Sequence, residues 1–387
     1  MKRLVLDVET TISNKGNPFD ETNRLCYVGM RNMESSYLYP IEYSDMPYGH
    51  YLSSIQAMVN DCDLLIGFNI KFDLHWIRRY GITFSTKRIW DCQLVHFILS
   101  GQTASYPSLN GVAAHYGLGT KLDVVSTEYW KNGIDTPDVP RDILEEYLQG
   151  DLDLTYQVYL KQLAEVQASS PQLQRLISLH NQDLLVLEEM EYNGLIFDEA
   201  RSTELAEDLT QQIQSLDVLL REYHNTDDFN SNSTEHLSAL LYGGTIVLKR
   251  REVIGVFKTG TRMGQPKERW VEHPITFPKL INPLRGSELA KEGFYSTDEA
   301  TLKSLKGSKN AKELVELLLR RATLEKRVST YYEGLVKLRK EMKWSEGKLH
   351  GQLNQCVART GRLSTSRPNL QNFDGEIKEL FRSRYVS

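Results

Sequence analysis

The chain contains 387 residues, of which 40% are hydrophobic and 25% are charged, and its formal net charge is −5. This length corresponds to about two or three domains, and the composition, which is near the globular average, favours a folded chain over a disordered one. No apolar run approaches the ~18 residues of a membrane span, acids break the N-terminal apolar run, and the four cysteines form no C-x-x-C pair. These features argue against a membrane helix, a secretory signal, a zinc site and a disulfide framework, and they predict a cytoplasmic protein with free thiols.

The charge is divided unevenly between two halves of the chain. Residues 1–239 carry 17 Lys and Arg against 35 Asp and Glu, whereas residues 240–387 carry 29 against 16, so their net charges are −18 and +13. A basic half is typical of a protein that binds a phosphate backbone, and an acidic half can act on DNA when divalent cations lie among its carboxylates. A basic surface that only faces solvent explains the charge equally well.

The predicted elements of residues 1–165 alternate between strands and helices. Short apolar runs predict four strands: Lys2–Val8, Leu25–Arg31, Ser36–Tyr39 and Asp63–Gly67. Proline-free segments with apolar residues at helical spacing predict three helices: Phe72–Tyr80, Cys92–Ser100 and Arg141–Gln167. Gly150 is the one weak position in the longest helix. This alternation predicts an α/β domain in which helices flank a mixed sheet.

The pattern from about Pro171 onward is long and helical. Apolar residues at helical spacing predict four helices: Leu176–Met190, Glu199–Tyr223, Asp298–Leu305 and Ala311–Lys340. A stretch rich in Gly, Pro, Lys and Arg interrupts this pattern from Tyr242 to Gly286, and within it Thr245–Leu248 is β-like. The second part is therefore predicted to be mainly α-helical with a small β-rich insertion.

Acidic and amide side chains stand at the ends of two predicted strands. Asp7 and Glu9 are two residues apart in the first strand, so both carboxylates lie on one face, where a cation between them would offset their repulsion. Asn69 and Asp73 follow the run that ends at Gly67, at a strand-to-helix junction where polar side chains reach a cleft. Taken separately, these residues also fit an ordinary strand end and an ordinary helix cap.

A phenol and a carboxylate lie on one face of the helix predicted over Arg141–Gln167, because Tyr147 and Asp151 are four residues apart. Hydrolysis of a phosphodiester needs an attacking hydroxide and neutralisation of the charge on the phosphoryl and departing oxygens. Two divalent cations held by four acids supply both. Tyr147 would orient the attacking water, because a phenol with a pKa near 10 is a poor base at neutral pH.

These residues together resemble the catalytic set of the DEDDy exonucleases, which have a ribonuclease-H-like fold; the set comprises Asp7, Glu9, Asp73, Tyr147 and Asp151. The resemblance implies that the four acids are the ligands of two Mg²⁺ or Mn²⁺ ions. It also implies that Thr10 and Asn69 approach the substrate strand. We interpret two further acids near these motifs, Asp91 and Asp153, as structural.

A glycine- and arginine-containing motif lies near the end of the chain: Ala358-Arg-Thr-Gly-Arg-Leu-Ser-Thr-Ser-Arg-Pro-Asn-Leu-Gln-Asn372. It is very similar to the T-G-R-L-S-S-x-x-P-N-L-Q-N motif of family A DNA polymerases. Four earlier segments resemble the thumb of that family in their usual order: Phe229–Ser233, Lys258–Gly260, Ser296–Glu299 and Ser329–Tyr331. The resemblance implies that Arg362 contacts the minor groove at the primer terminus, that Asn369 and Gln371 lie near the template, and that Lys326 lies near the duplex backbone.

The resemblance implies three regions. Residues 1–168 would form an α/β, ribonuclease-H-like 3′–5′ exonuclease domain, residues 169–345 a mainly α-helical thumb, and residues 346–387 the start of a polymerase palm. The insertion at about 242–286 looks like a variant found in bacteriophage polymerases. It is interpreted as a surface loop, a clamp-like DNA contact or a site for a processivity factor. Palm and fingers motifs do not follow Gln371 in this sequence, so polymerisation is expected to need a second chain or a further C-terminal part.

The leading functional hypothesis is a proofreading enzyme that trims 3′ ends of DNA with two divalent cations. The alternative is a non-catalytic DNA-binding and assembly subunit of a split DNA polymerase, in which the exonuclease fold is only a scaffold. An RNA-trimming nuclease of the same class is disfavoured by the thumb and T-G-R segments. The intact set of four acids and a tyrosine favours the enzyme, because a site without function has no reason to keep carboxylates that repel one another.

Overall fold

A computed structural model of the chain describes residues 1–43, 49–84, 87–121 and 123–383. The chain divides into two compact units: the first contains residues 1–199 and 335–387, and the second contains residues 200–334. The predicted boundaries at 168/169 and 345/346 therefore both lie inside the first unit. Within the described ranges, no helix is long and apolar enough to cross a membrane.

A five-stranded sheet forms the centre of the first unit, with the order β3-β2-β1-β4-β5. The strands are β1 (Arg3–Thr10), β2 (Leu25–Arg31), β3 (Ser36–Pro40), β4 (Leu64–Gly67) and β5 (Arg88–Asp91). β1 pairs antiparallel with β2 and parallel with β4, β2 pairs antiparallel with β3, and β4 pairs parallel with β5. The predicted mixed sheet and its four predicted strands are confirmed, and β5 is an addition.

Six helices accompany this sheet: α1 (Leu52–Asp61), α2 (Ile70–Arg79), α3 (Cys92–Leu99), α4 (Leu109–His115), α5 (Arg141–Ala168) and α6 (Pro171–Asn193). The three helices predicted before residue 168 are α2, α3 and α5. Gly150 does not interrupt α5, which is 28 residues long and continues on both sides of this glycine. Asp91 starts α3 by accepting hydrogen bonds from the backbone amides of Gln93 and Leu94 at 2.8 and 3.1 Å.

Alternation along β1 directs its side chains to two different cores. Leu4 and Leu6 belong to the core that contains Leu74 of α2. Val5 belongs to the core that contains Leu152 of α5. Because side chains of a strand alternate between faces, the odd-numbered residues that follow Val5 point to the α5 side of the sheet. Asp7 and Glu9 are odd-numbered, so both acids point to the α5 side of the sheet.

Residues 335–387 complete the first unit with short elements. A three-stranded sheet joins β6 (Leu195–Phe197), β9 (Lys348–Leu349) and β12 (Phe381–Arg382), and a two-stranded sheet joins β10 (Gln352–Asn354) and β11 (Ser364–Ser366). A four-residue helix, α12 (Gly375–Lys378), precedes β12. The T-G-R motif thus contains β11 and the loops on either side of it.

The second unit is mainly helical, as predicted. Its elements are α7 (Glu199–His224), α8 (Thr234–Tyr242), a hairpin of β7 (Gly244–Val256) and β8 (Pro266–Phe277), α9 (Glu299–Ser304) and α10 (Lys309–Lys326). The helix predicted over Ala311–Lys340 is interrupted: α10 ends at Lys326, Arg327–Tyr332 is a π-helical segment, and α11 (Glu333–Glu341) follows. The insertion forms one long hairpin, where the sequence predicted only short β-like pieces.

Candidate active site

Three carboxylates converge where β1 faces α5. One oxygen each of Asp7, Glu9 and Asp151 lies within 4.8 Å of the other two. Asp7 and Glu9 arrive there because they share the face of β1 that Val5 directs toward α5. Asp151 is on α5 and is 8% exposed, and Glu9 is 5% exposed. The strand pair and the helix acid of the predicted set therefore meet in space.

The fourth acid, Asp73, lies in the first turn of α2 and is 2% exposed. Its Oδ1 accepts a hydrogen bond at 2.9 Å from the backbone amide of Val8, the residue between Asp7 and Glu9. This bond attaches the carboxylate to the strand at the acid pair. The negative charge of Asp7 helps to raise the pKa of Asp73, so the two carboxylates interact electrostatically.

A close approach of α5 to the sheet keeps the two halves of the cluster together. Gly29 of β2 is the register partner of Asp7. A Cβ at position 29 would lie 2.9 Å from both Cγ and Cδ1 of Leu148, and 3.0 Å from Cδ1 of Leu152. Both leucines are on α5, on either side of Asp151 in the helix sequence and without exposed surface. Any side chain at position 29 would force the buried Leu148 to shift, so the glycine permits this packing of α5 on the sheet.

Burial raises the pKa of Asp7, Glu9 and Asp73, and negative neighbours raise these pKa values further. The repelling neighbours are Asp151 for Asp7, Asp7 for Glu9, and Asp7 for Asp73. Burial also raises the pKa of Asp151, while the positive charge of Lys121 opposes that rise. A buried set of hard carboxylate oxygens that repel one another fits divalent cations, which take oxygen ligands and neutralise such charge.

Lys121 is a member of the site that the sequence analysis did not identify. Its Nζ forms an ion pair with Asp151, lies 3.9 Å from Asp123 Oδ1, and stands 3.5 Å from the centroid of the Tyr147 ring. The side chain is 14% exposed. Lys121 belongs to no motif and is separated by 30 residues from its partner Asp151, so no local pattern in the sequence pointed to it.

Tyr147 lies one helical turn before Asp151, as the spacing predicted. Its ring also meets Trp130 edge-on, with 5.7 Å between the ring centroids. Burial raises the pKa of the Tyr147 hydroxyl, and the negative charges of Glu9 and Asp151 raise it further. The phenol therefore stays protonated at neutral pH and can donate a hydrogen bond, which agrees with an orienting role and not with that of a base.

Two other residues predicted near the substrate strand flank the cluster in sequence. Thr10 is buried, and its Oγ1 donates to the Thr11 carbonyl at 3.1 Å. Asn69 is exposed at the start of α2, with a φ of 58°, and its backbone amide donates to Asp91 Oδ1 at 3.2 Å. Asp91 thus holds the backbone of this corner, and Asp153 pairs with Arg31. Both of these acids have structural partners, as predicted.

The predicted DNA-binding residues of the T-G-R motif lie on the surface of the first unit. Arg362, Asn369 and Gln371 are all exposed. Asn369 Oδ1 accepts from Thr365 Oγ1 at 2.9 Å, and Gln371 Nε2 donates to the Leu363 carbonyl at 2.7 Å. These two amides therefore fold the loop that carries Arg362. Lys326 is exposed at the end of α10 in the second unit.

Two family models match the chain. Residues 1–167 match the model described as 3′-5′ exonuclease, and residues 273–386 match the one described as DNA polymerase family A. The first match contains the four acids and Tyr147, and the second contains Lys326 and the T-G-R motif. The insertion hairpin lies almost entirely outside both matches.

Several DNA polymerases I are similar to this chain. That of Synechocystis sp. is 26% identical over 81% of this chain and 28% of its own length, and that of Bacillus subtilis is 27% identical over 71% and 26%. A thermostable enzyme from Thermus filiformis is 43% identical over 25% of this chain and 11% of its own length. The chain thus spans about a quarter of the length of the first two relatives.

A solved structure shares the fold. The POL domain of Pol1 from M. smegmatis, in complex with a DNA primer-template and dNTP, has a TM-score of 0.61 with this chain at 16% identity. The superposition covers 98% of this chain and 54% of that one.

Proposed function

We propose that this chain, whose residues 1–167 match the 3′-5′ exonuclease model and whose residues 273–386 match the DNA polymerase family A model, removes 3′-terminal nucleotides from DNA as a proofreading step of replication. The convergence of Asp7, Glu9 and Asp151 within 4.8 Å carries this proposal. The attachment of Asp73 to the same strand and the neighbouring Tyr147 support it. We propose that the reaction takes place in the cytoplasm.

The four acids would hold two divalent cations, Mg²⁺ or Mn²⁺. When bound, these ions supply the positive charge that lowers the pKa of the attacking water and neutralises the departing 3′ oxygen. In the reaction, the water oxygen bonds to the phosphorus of the terminal nucleotide, and the bond from that phosphorus to the 3′ oxygen of the preceding nucleotide breaks. The water gives up a proton, the 3′ oxygen gains one, and a nucleoside 5′-monophosphate leaves.

The other residues of the site would orient the reactants. The protonated Tyr147 hydroxyl donates a hydrogen bond to the attacking water, and Lys121 holds both the ring of Tyr147 and the carboxylate of Asp151. Thr10 and Asn69 contact the terminal nucleotides of the strand. The raised pKa of Tyr147 supports this division of roles, because the hydroxyl stays protonated at neutral pH and no phenolate forms to act as a base.

The remaining predicted contacts concern duplex DNA. We propose that Arg362, Asn369 and Gln371 approach the primer-template near the primer terminus, and that Lys326 approaches the duplex backbone. Nucleotide addition would need a polymerase palm and fingers, from a second chain or from the same polypeptide, and it stays a prediction. The binding of a processivity factor and the likeness of the insertion to bacteriophage polymerases also stay predictions.

The direct test is digestion of single-stranded DNA labelled at its 5′ end, with RNA of the same sequence alongside. With Mg²⁺ we expect progressive shortening from the 3′ end, release of nucleoside 5′-monophosphates, and a strong preference for DNA. EDTA should stop the reaction. Shortening that continues in EDTA, or products that carry a 3′ phosphate, would contradict the proposed chemistry, and preferential digestion of RNA would contradict the proposed substrate.

A further inference from the structure

The hairpin of β7 and β8 extends well beyond the core that supports it. The two strands pair from Gly244 with Phe277 to Val256 with Pro266, with one irregularity between Val253 and Gly255. A strand of this length, 13 residues, extends over about 40 Å at the usual rise of about 3.3 Å per residue. Leu248 is the last buried residue of β7. In the outer part, residues 249–270, every residue but the half-buried Phe257 is exposed, and a two-stranded ribbon with both faces in water is marginally stable alone.

One face of this outer ribbon presents large apolar side chains. Cross-strand partners share a face, so the pair of Arg251 and Trp270 lies on the same side as Val253. Trp270 is 59% exposed and Val253 is 63% exposed. The guanidinium of Arg251 stacks 5.2 Å from the centroid of the Trp270 ring. An exposed tryptophan braced by an arginine offers a flat surface on which another ring can stack.

The same segment is strongly basic. Residues 249–270 contain seven Lys and Arg and two Asp and Glu. Three of the cations pair with carboxylates: Lys249 with Glu272, Arg251 with Glu268, and Arg250 with Asp228. The other four make no ion pair with any described residue, and they are Lys258, Arg262, Lys267 and Arg269. They surround the tip, where positive charge without carboxylate partners favours a polyanion.

We propose that the outer part of the hairpin, residues 249–270, is a binding arm for single-stranded DNA. This inference rests on the proposed function in one respect, namely that the chain acts on DNA. A single strand accounts for both features of the arm, because its bases stack on exposed aromatic side chains while cations follow its phosphates. A duplex hides its base faces and would use only the cations. An acidic protein would use the charge but has no need of a braced aromatic plane.

The experiment measures binding separately from cleavage. Anisotropy of a fluorescent oligonucleotide, read in EDTA over a series of salt concentrations, gives the affinity of the whole chain for single-stranded and duplex DNA. One variant removes the four unpaired cations together (K258A, R262A, K267A and R269A), and a second is Trp270→Ala. A matched control removes four exposed cations outside the hairpin: K161A, R175A, K306A and K340A. It has the same net charge as the first variant.

We expect Trp270→Ala to weaken single-strand binding by about tenfold, in the range of one base stack, and to change duplex binding much less. The four-cation variant should reduce the slope of log K against log salt by about 2 to 3, because each phosphate contact on a single strand contributes about 0.7. The matched control should change the slope little. All three variants should digest a tetranucleotide at the wild-type rate, because this substrate is too short to need the arm.

Three outcomes would overturn the proposal. Unchanged DNA binding in both hairpin variants would show that the arm serves another partner, such as an acidic protein. A greater loss for duplex than for single-stranded DNA would show that the arm reads the duplex backbone. A slope change in the matched control equal to that of the four-cation variant would show that only net charge matters. Failure of the tetranucleotide assay in the wild type would count against the exonuclease proposal alone, because binding is measured without cleavage.

Discussion

The ammonium nitrogen of Lys121 lies 3.5 Å from the centre of the Tyr147 ring and at the same time pairs with Asp151, one turn farther along α5. One cation thus touches both the aromatic and the acidic member of the helix pair. Its positive charge offsets part of the repulsion among the acids, and it competes with any cation that Asp151 binds.

Substitution of this lysine should therefore strengthen metal binding. We expect Lys121→Met to bind Mn²⁺ about tenfold more tightly than the wild type, because a short-range repulsion worth a few kcal/mol is removed and only partly offset by the loss of the partner of Asp151. Isothermal titration calorimetry measures this directly. Lys131→Met, a change at an exposed lysine, is the control and should leave the affinity unchanged. Weaker binding in Lys121→Met would mean that the lysine organises the acids.

Loss of a single clustered acid should stop cleavage. Asp7→Ala and Asp151→Ala are each expected to reduce the cleavage rate by more than about 10³-fold, beyond the effect of one hydrogen-bond donor, because a metal ligand is lost. Asp153→Ala is the matched control: the residue is on the same helix but pairs with Arg31. It should keep nearly full activity. A rate for Asp7→Ala close to that of Asp153→Ala would remove Asp7 from the catalytic set.

The tyrosine hydroxyl should matter less than a ligand acid. Tyr147→Phe keeps the ring between Lys121 and Trp130 and removes only the hydrogen bond to water. One such bond is worth about 2–3 kcal/mol in an active site, so we expect a loss of roughly 30- to 150-fold in the single-turnover rate. The affinity for Mn²⁺ should not change. Full activity in this variant would show that the ring, and not its hydroxyl, is what the site requires.

The stability of the metal-free protein should depend on pH through the same acids. Because their pKa values are raised in the folded state, the folded chain keeps protons that the unfolded chain has released. Stability is therefore lost as pH rises from the ordinary carboxyl pKa of about 4 through the raised values. In EDTA, we expect the free energy of unfolding, measured with urea, to be about 1–2 kcal/mol higher near pH 5 than near pH 7.

Asp7→Asn isolates the cause of that pH dependence. It should reduce the pH dependence and stabilise the metal-free protein near pH 7, because one buried charge has been removed. In saturating Mg²⁺ the wild type should instead be more stable than Asp7→Asn, because Mg²⁺ binds tightly only to the folded wild type. Equal stability of the wild type and Asp7→Asn in EDTA at both pH values would show that the acids are not destabilising in the absence of metal.

The parts of this molecule that follow a local repeat could be predicted from the sequence. The alternation in β1 indicated that Asp7 and Glu9 share a face, and the spacing of Tyr147 and Asp151 indicated a shared helix face. β5 was missed because it has four residues, two of them charged. The interruption at Arg327–Tyr332 was missed because apolar spacing continues while the hydrogen bonding changes to a π-helical pattern.

Features that depend on long-range contacts could not be predicted. Lys121 reaches Asp151 only because the segment that contains it packs beside α5. The division at residues 199/200 and 334/335 reflects which segments pack together, and no change in composition marks either point. The T-G-R residues were identifiable by resemblance, but the bonds by which Asn369 and Gln371 fold their own loop depend on the backbone conformation.

The absence of a side chain at Gly29 has a genetic consequence. Replacement of this residue by alanine or valine leaves every carboxylate, the tyrosine and the lysine in the sequence, yet the added carbon would collide with the buried side chains of Leu148 and Leu152. We expect the resulting shift of α5 to move Asp151 away from Asp7. Under the proposed proofreading function, a strain with such a mutation would accumulate replication errors although all its catalytic residues are present in the sequence. Screening for mutator alleles by inspection of those residues alone would overlook it.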